Sequence, residues 1–271
     1  MLLEIRHRTR YRYEKPITLE PQHFYFHPLS RAYFEIQHFE LDSNPQPSLV
    51  SQRIDLESNS YLQCWYEKEL DELELNTTLR IETHAFNPFD FLVEKGPKTA
   101  ETLAETPYKQ QLPLASEAKE WTNSIAKEHA QTTSLLSALC ASIHTHWKHE
   151  ARYDDSLLQP NTCFTQKQGS CRDLSWMLIA MLRSLNFPAR FVSGYSYNPE
   201  LGEGHELHAW VEVFVEGGGW IGLDPSSGLF TTECYIPVAA SYHPANTLPV
   251  QGSYRGDAVS ALVTSVQIKT F

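Results

Sequence analysis

The sequence has few positive charges and no long hydrophobic run, and each shortage excludes a class of protein. Lysine and arginine together number 22 against 33 aspartates and glutamates, so the formal net charge is −11. Nucleic-acid binding needs a surplus of basic side chains to neutralise phosphates, which this chain lacks. No apolar run approaches the ~18 residues of a membrane span, and Glu4 and Arg6 interrupt any apolar segment of a secretory signal. We therefore expect a soluble protein with no nucleic-acid and no membrane partner.

Cysteines are also few, and their spacing excludes the structural uses of this residue. The chain has five, widely separated and without a CxxC pair: Cys64, Cys140, Cys163, Cys171 and Cys234. An odd, scattered set is neither a disulfide framework nor a zinc site, and it is typical of the reducing cytoplasm. We therefore predict a cytoplasmic protein without a metal or other cofactor. In such a protein a cysteine either packs in the core or takes part in chemistry.

Two short motifs could suggest binding sites, but solvated surfaces explain them better. The basic run "RHRTRYR" at 6–12 alternates, so its arginines share one face of a strand, and we expect that face to be solvated. In "HTHWKH" at 144–149, His146 and His149 lie about one helical turn apart, but no carboxylate or cysteine completes a ligand set. We interpret this second motif as a solvated helix face.

The hydrophobic pattern changes along the chain from strands to helices and back to strands, which predicts an α+β protein. We expect an N-terminal antiparallel β domain at 1–95, with Gly96-Pro97 as a boundary signal. A core of helices plus antiparallel sheet follows at 107–240, and then a C-terminal segment at 241–271. Within that segment the strand at 260–271 alternates apolar and polar residues and needs a sheet to pack on. We expect it to return to the N-terminal domain.

Three helices are predicted in the core from apolar residues at helical spacing. Ser116 can cap the first helix, which runs to about residue 130, and the second begins near Thr133. The third begins at Cys171, and Asn186 followed by Pro188 is typical of its end.

The stretch "GSCRDLS" places Cys171 in an unusual position for a cysteine, at the start of a helix. Ser170 suits the cap position before the helix, and Asp173 can reach back to it. Cys171 is then the first helical residue, where the helix dipole and free N–H groups favour a thiolate and lower the thiol pKa. The same N–H groups could hold an oxyanion. Nothing comparable surrounds the other four cysteines, so Cys171 is the candidate nucleophile.

A thiolate nucleophile needs a histidine to pair with and a third group that orients this histidine. His208 opens a predicted strand and Asp224 closes the next one. A three-residue, glycine-rich loop at 216–218 would pair Trp210 with Asp224, which places Asp224 diagonal to His208 on one face of the sheet. His205 is a rival base, but it lies in a glycine-containing loop, so the position favours His208.

The order Cys171, His208, Asp224 and its surroundings resemble the bacterial transglutaminase-like superfamily. The motifs that carry the resemblance are "GSCRDLS" opening a helix, "PARFVSGY" after it, then "HAWVEVFV" and "WIGLDPS". The N-terminal "HRTRYRYEKP" also resembles the β region that precedes this core in one subgroup. A papain-type enzyme fits less well, because there the histidine follows the cysteine by ~130–150 residues.

The resemblance implies a papain-like α+β core and a Cys-His-Asp triad that acts on amide carbonyls. Cys171 would be the nucleophile, His208 the base and later the acid, and Asp224 the orienting group. The implied function is a cysteine-dependent hydrolase of peptide or amide bonds, working through a thioester. Two alternatives stay open: acyl transfer from a glutamine side chain to an amine, and an inactive binding module that keeps the fold. The implied partner is a peptide or protein that carries such an amide.

The chain departs from the family pattern at two places. Ser226 follows Asp224-Pro225 where the family commonly has threonine, which is a mild change. The residues Ser241-Tyr242-His243-Pro244 stand where the subgroup commonly shows Gly-Arg-Asp-Tyr. The second departure affects a substrate-side or loop-ordering feature and leaves the three candidate site residues unchanged.

Overall fold

The computed structural model describes residues 1–92, 107–152, 156–200 and 207–271, and strands dominate both ends of the chain. The N-terminal strands are β1 (Leu2–Leu19), β2 (Gln22–Phe24), β3 (Phe34–Asn44), β4 (Leu49–Ile54), β5 (Ser60–Trp65) and β6 (Leu70–Thr83). In β1 and β6 apolar side chains alternate with exposed polar ones, so each strand buries one face. This region is the antiparallel β structure that the sequence predicts.

Helices and a second group of strands follow. The elements are α1 (Ser116–Glu128), α2 (Thr132–His146), β7 (Lys148–His149), α3 (Pro160–Gln166), β8 (Gln168–Gly169), α4 (Cys171–Ser184), β9 (Ala189–Ser196), β10 (Leu207–Val215), β11 (Gly219–Asp224), β12 (Leu229–Phe230) and β13 (Tyr235–Ser241). The C-terminal strands are β14 (Val250–Gln251), β15 (Tyr254–Arg255) and β16 (Ser260–Thr270), and short 3₁₀ turns cover Pro107–Lys109 and Pro244–Thr247.

The C-terminal strand returns to the N-terminal sheet, as the sequence predicts. Strand β16 pairs antiparallel with β1 from Leu3–Thr270 to Tyr13–Ser260, and β6 lies on the other side of β1 with β3 beyond it. Strands β14, β2, β5 and β4 form a second sheet in that order. The arginines of β1 project into solvent and pair with glutamates of β6, for example Arg8 with Glu74 at 2.6 Å. The solvated face expected for "RHRTRYR" is therefore confirmed.

A second hydrophobic core lies between the helices and one antiparallel sheet. That sheet has the order β12, β11, β10, β9, β13. Helix α4 packs on it and is buried from Asp173 to Arg183. A helix buried on all sides cannot shift or rotate without breaking the close packing of its neighbours. The N-terminus of α4 is therefore held in a fixed position. No helix among the described ranges is long and apolar enough to cross a membrane.

Hydrogen bonds join the N-terminal sheets to the sheet that packs on the helices. Asn59 donates to the carbonyl of Ala240 at 3.0 Å and accepts from its N–H at 2.8 Å. The buried imidazole of His7 contacts the hydroxyl of Tyr195 at 3.0 Å and that of Thr264 at 2.9 Å. Because Tyr195 belongs to the core sheet and Thr264 to the terminal strand, His7 connects three parts of the chain.

The structure corrects some of the local predictions. Ser116 is the first residue of α1 and not its cap, since Ala115 holds the cap position and provides no side-chain hydrogen bond. His149 lies in β7 rather than on a helix face. Helix α3 was missed because seven residues are too few to show a helical period. The boundary expected at Gly96-Pro97 lies outside the described residues.

Candidate active site

The first turn of α4 has the cap that the sequence predicts. The N–H of Asp173 donates to Ser170 Oγ at 3.4 Å, and the N–H of Ser170 donates to Asp173 Oδ2 at 2.8 Å. The same carboxylate also accepts hydrogen bonds from Arg152 at 3.0 Å and from the N–H of Leu158 at 2.8 Å. Asp173 thus fixes both the helix start and the segment beside it. Cys171 is the first helical residue and is partly exposed.

The hairpin of β10 and β11 brings the other two candidate residues together. Its register pairs Val215 with Gly219 and Val211 with Leu223, as the three-residue loop requires. The next pair along the ladder would be Trp210 and Asp224, so Asp224 lies diagonal to His208. Their side chains meet, and His208 Nε2 is 2.9 Å from Asp224 Oδ2. The contact predicted from the hairpin spacing is present in the structure.

The carboxylate of Asp224 lies in a buried nest of donors. Its side chain is 2% exposed. Besides His208, it accepts from the Tyr235 hydroxyl at 2.8 Å, from the Ser226 N–H at 2.9 Å and from the Ser226 hydroxyl at 2.6 Å. Burial alone would raise the pKa of this carboxyl, but the charge of His208 and these hydrogen bonds hold it well below its usual range. Asp224 is therefore ionised and fixed in orientation.

Of the residues that donate to Asp224, Ser226 could be recognised in the sequence and Tyr235 could not. Tyr235 was missed, because it opens a strand 11 positions beyond Asp224 and no local pattern links the two. Ser226, which replaces the usual threonine of the family, supplies a hydroxyl donor that threonine also carries. The mild departure noted in the sequence therefore leaves the hydrogen bond to Asp224 in place.

The environment of Cys171 favours a thiolate. Burial alone would raise the pKa of this thiol, but hydrogen bonds with His149 and His208, the charge of His208 and the N–H of Ala209 lower it from 9.0 to about 6. Burial would lower the pKa of His208, but the charge of Asp224 and the contacts with Asp224 and Cys171 raise it to about 10. Between these values the two side chains form a thiolate–imidazolium pair.

The other cysteines have no such environment. Burial raises the pKa of Cys64 to about 11 and that of Cys163 to about 12. It also raises the pKa values of Cys140 and Cys234. Cys171 is thus the one cysteine of the five whose thiol pKa is lowered.

His149 lies beside the segment that leads into α4, a position that the sequence did not reveal. Strand β7 runs parallel to β8, with His149 opposite Gly169, and the N–H of Glu150 donates to the Gly169 carbonyl at 3.0 Å. Gly169 lies two positions before Cys171, so the bridge places the backbone of His149 beside the segment that leads into α4. His149 is exposed, as predicted, but it lies on strand β7 and not on a helix face. Within the described part of the chain, no three His, Cys, Asp or Glu side chains are grouped as metal ligands. The rival base His205 lies outside the described residues.

The fold and these contacts together define an α+β protein with a cysteine, a histidine and an aspartate grouped at the start of a buried helix. Two family models match the chain: the transglutaminase-like superfamily core over residues 119–225 and the bacterial transglutaminase-like N-terminal region over residues 3–82. Together they cover more than half of the chain. The protein belongs to the transglutaminase-like superfamily and carries the N-terminal region of its bacterial subgroup.

Similar proteins agree with this assignment. An uncharacterised protein of Mycobacterium leprae is 32% identical over 108 residues, which is 38% of either chain. A protein-glutamine gamma-glutamyltransferase of Pseudomonas aeruginosa is 29% identical over 133 residues, 43% of this chain and 19% of that protein. These matches thus span less than half of each curated relative. A solved structure, titled a putative cysteine protease from Cytophaga hutchinsonii, has a TM-score of 0.71 at 19% identity and covers 99% of this chain and 90% of its own. That likeness shows the shared fold.

Proposed function

We propose that the protein is a cysteine-dependent hydrolase of peptide or amide bonds that works through a thioester. The single observation that carries the proposal is the environment of Cys171. Its thiol lies at the start of α4 with a lowered pKa, in contact with His208, whose other partner is the buried Asp224. The fold shared with a structure titled as a cysteine protease supports the same class of chemistry.

The first half-reaction follows from which proton each group holds. The Cys171 thiolate attacks the carbonyl carbon, a C–S bond forms, and the carbonyl electron pair moves to the oxygen. Because Nε2 of His208 faces Asp224, Nδ1 is the nitrogen left to face the sulfur and the substrate. The imidazolium gives this proton to the departing amine, the C–N bond breaks, and the oxygen electron pair returns to form the thioester.

The second half-reaction reverses the proton transfer. The neutral His208 takes a proton from water as the water oxygen attacks the thioester carbon. The C–S bond then breaks, which releases the carboxylic acid and restores the thiolate–imidazolium pair. Asp224 stabilises the imidazolium and fixes the ring without accepting its proton. Every group in this cycle is a protein side chain, so the proposed chemistry uses no cofactor or metal.

A second candidate differs only in what resolves the thioester. If a primary amine attacks in place of water, the product is a new amide and the enzyme is a transglutaminase acting on glutamine side chains. The partial similarity to a protein-glutamine gamma-glutamyltransferase favours keeping this alternative. An inactive binding module is the weakest reading, because a scaffold does not require a thiol with a lowered pKa beside a histidine–aspartate pair.

The test is to trap the acyl-enzyme and then to follow its fate. The protein is incubated with glutamine-containing peptides, with and without a primary amine, and both protein and peptides are analysed by mass spectrometry. We expect an acyl adduct on Cys171, absent in Cys171→Ala and retained in the matched control Cys234→Ala. Cleaved or deamidated peptide supports the hydrolase, and an amine conjugate supports the transglutaminase. Equal peptide turnover by Cys171→Ala and the wild type would contradict both.

A further inference from the structure

The carboxylate of Asp224 has a hydrogen-bond partner in every acceptor position. An ionised carboxylate offers about four such positions, shared between its two oxygens. Oδ1 accepts from the N–H of Ser226 at 2.9 Å and from its hydroxyl at 2.6 Å. Oδ2 accepts from the hydroxyl of Tyr235 at 2.8 Å and faces Nε2 of His208 at 2.9 Å. Tyr235 and His208 therefore share one oxygen of the carboxylate.

The fold holds Tyr235 in place through both its backbone and its ring. It is the first residue of β13, where it pairs with Ser196 of β9. Its backbone carbonyl accepts from the hydroxyl of Tyr33 at 2.9 Å. Its ring packs edge-to-face on Trp210, with the ring centroids 5.3 Å apart, and Trp210 in turn stacks beside the ring of His208. The phenol is thus directed at the shared oxygen by contacts other than the hydrogen bond itself.

A second donor on the shared oxygen weakens the hold of the carboxylate on the imidazolium, because both donors draw on the same negative charge. Burial and the charge of Asp224 raise the pKa of the Tyr235 phenol, so its hydroxyl stays protonated and remains a donor. Against the effect of burial, Asp224 and Cys171 raise the pKa of His208 to about 10. An imidazolium held still more strongly would be a poorer acid towards a leaving group.

The hydroxyl of Tyr235 can be removed without removing another ionisable group of the site. Among the described hydrogen bonds, Tyr235 is the one donor to Oδ2 of Asp224 besides His208. Its loss therefore changes the charge on that oxygen and leaves the surrounding titratable groups in place. In the described part of the chain these groups include Cys140 and His144 of α2, His149 of β7 and Cys171 of α4.

We propose that Tyr235 is a positioning residue, whose hydroxyl fixes Oδ2 of Asp224 and takes up part of its charge so that His208 can release its proton. This inference rests on the proposed function, in which that proton passes to the departing amine. Tyr235 keeps its own proton throughout the cycle and acts only through the hydrogen bond. Tyr235→Phe removes this bond and keeps the ring that packs on Trp210, so it is the variant that tests the role.

The first measurement is the protonation of the His208 ring, followed by ¹⁵N NMR of the whole chain labelled at its histidines. The signal is assigned by its absence in His208→Gln. In the wild type the ring should be about half protonated at pH 10. Tyr235→Phe should move this midpoint upward by about one pH unit, because the carboxylate then holds the imidazolium more strongly. Tyr235→3-fluorotyrosine, whose phenol is a stronger donor, should move it downward.

The second measurement compares two leaving groups. A departing amine must take up a proton, whereas p-nitrophenolate leaves without one. Tyr235→Phe should therefore lower kcat/KM for a glutamine-containing peptide roughly ten-fold, which is part of what a positioned acid contributes, and leave acylation by p-nitrophenyl acetate within about two-fold. The matched control is Tyr66→Phe, which removes another buried tyrosine hydroxyl, bonded to Ser43 in the N-terminal region. It should match the wild type in both measurements.

Thermal melting establishes that each variant is folded. An unchanged midpoint for His208 in Tyr235→Phe, or equal losses on the peptide and the ester, would overturn the proposal. If Tyr235→Phe does not fold, the 3-fluorotyrosine protein decides by the same NMR signal, and a midpoint that does not move downward overturns the proposal. A wild-type rate of peptide turnover in Cys171→Ala would instead overturn the proposed function. The NMR measurement needs no substrate, so the two failures are distinguishable.

Discussion

Cys171 differs from the other four cysteines in the groups that surround its sulfur. Cys140 and Cys163 are fully buried, and burial, with a smaller contribution from a nearby carboxylate in each case, raises their thiol pKa values. Cys171 is partly exposed, and its interactions with the histidines of β7 and β10 lower its thiol pKa. The sequence could predict that Cys171 opens a helix, because a cap is a local pattern. It could not predict the bridge between β7 and β8, since this bridge pairs two separate segments that each have only two residues.

At the residue scale we predict an order of losses among variants of the three site residues. Cys171→Ser should abolish turnover nearly as fully as Cys171→Ala, because a serine hydroxyl is not ionised at neutral pH. His208→Ala should do the same. Asp224→Ala should cost less, because a nucleophile and a base remain. The measurement is turnover of a glutamine-containing peptide by each variant.

Folding of these variants must be followed by thermal melting, since Asp224 is buried and holds three other donors in place. A folded His208→Ala with full activity would remove His208 as the base. The role would then pass to His205, the rival base considered from the sequence, so His205→Ala is made alongside. Activity lost in His205→Ala and kept in His208→Ala would contradict the account.

At the scale of elements, two local rules place the site, and both could be predicted. The cap at Ser170 fixes where α4 begins, and the glycine-rich loop fixes the register of β10 and β11. The loop needs left-handed backbone, which Gly217 and Gly219 supply with φ values of 81° and 68°. The elements that could not be predicted are very short, or they form through pairing between distant segments. Strands of two residues such as β7 and β8 have no period to detect.

The helix cap gives a second prediction. Ser170→Ala removes the side chain that satisfies an N–H of the first turn and should lower the free energy of unfolding by ~1 kcal/mol. Urea denaturation measures this loss. The control is Ser184→Ala at the other end of α4, where the hydroxyl donates only to the Met181 carbonyl among the described contacts. Equal stability of Ser170→Ala and the wild type would contradict the role of the cap.

At the scale of the whole molecule, the terminal strand pairs with the N-terminal sheet, and His7 connects that sheet to the one that packs on the helices. The return of β16 to β1 could be predicted, because an alternating strand needs a sheet and the first domain was the one available. The buried network of His7, Tyr195 and Thr264 could not, since its members lie in three separate segments. The domain limits at residues 95 and 107 and the cytoplasmic location stay predictions.

His7 gives a prediction for stability against pH. Burial lowers the pKa of its imidazole from 6.5 to about 4, so between these values the unfolded chain binds a proton that the folded protein does not. The contribution of neutral His7 to the free energy of unfolding is therefore fully present above pH 6.5. It is lost as the pH falls towards 4, which lowers the free energy of unfolding by at most about 3 kcal/mol. Urea denaturation of His7→Gln should show a smaller loss over this range than the wild type.

The control for this experiment is His84→Gln, because His84 is exposed in the same domain. It should keep the pH dependence of the wild type. If His7→Gln and the wild type lose the same free energy of unfolding between pH 6.5 and 4, the buried neutral His7 does not contribute as the account requires.

The central claim is that Cys171 is an activated thiolate at neutral pH, and its alkylation rate as a function of pH tests this most directly. Iodoacetamide modifies the thiolate form, so the rate follows the ionised fraction. Mass spectrometry after digestion reports Cys171 and Cys234 in the same sample, and Cys234 serves as a partly exposed internal control. We predict that Cys171 reaches its half-maximal rate near pH 6 and reacts much faster than Cys234 at pH 7. A Cys171 rate no faster than that of Cys234 at pH 7 would contradict the account.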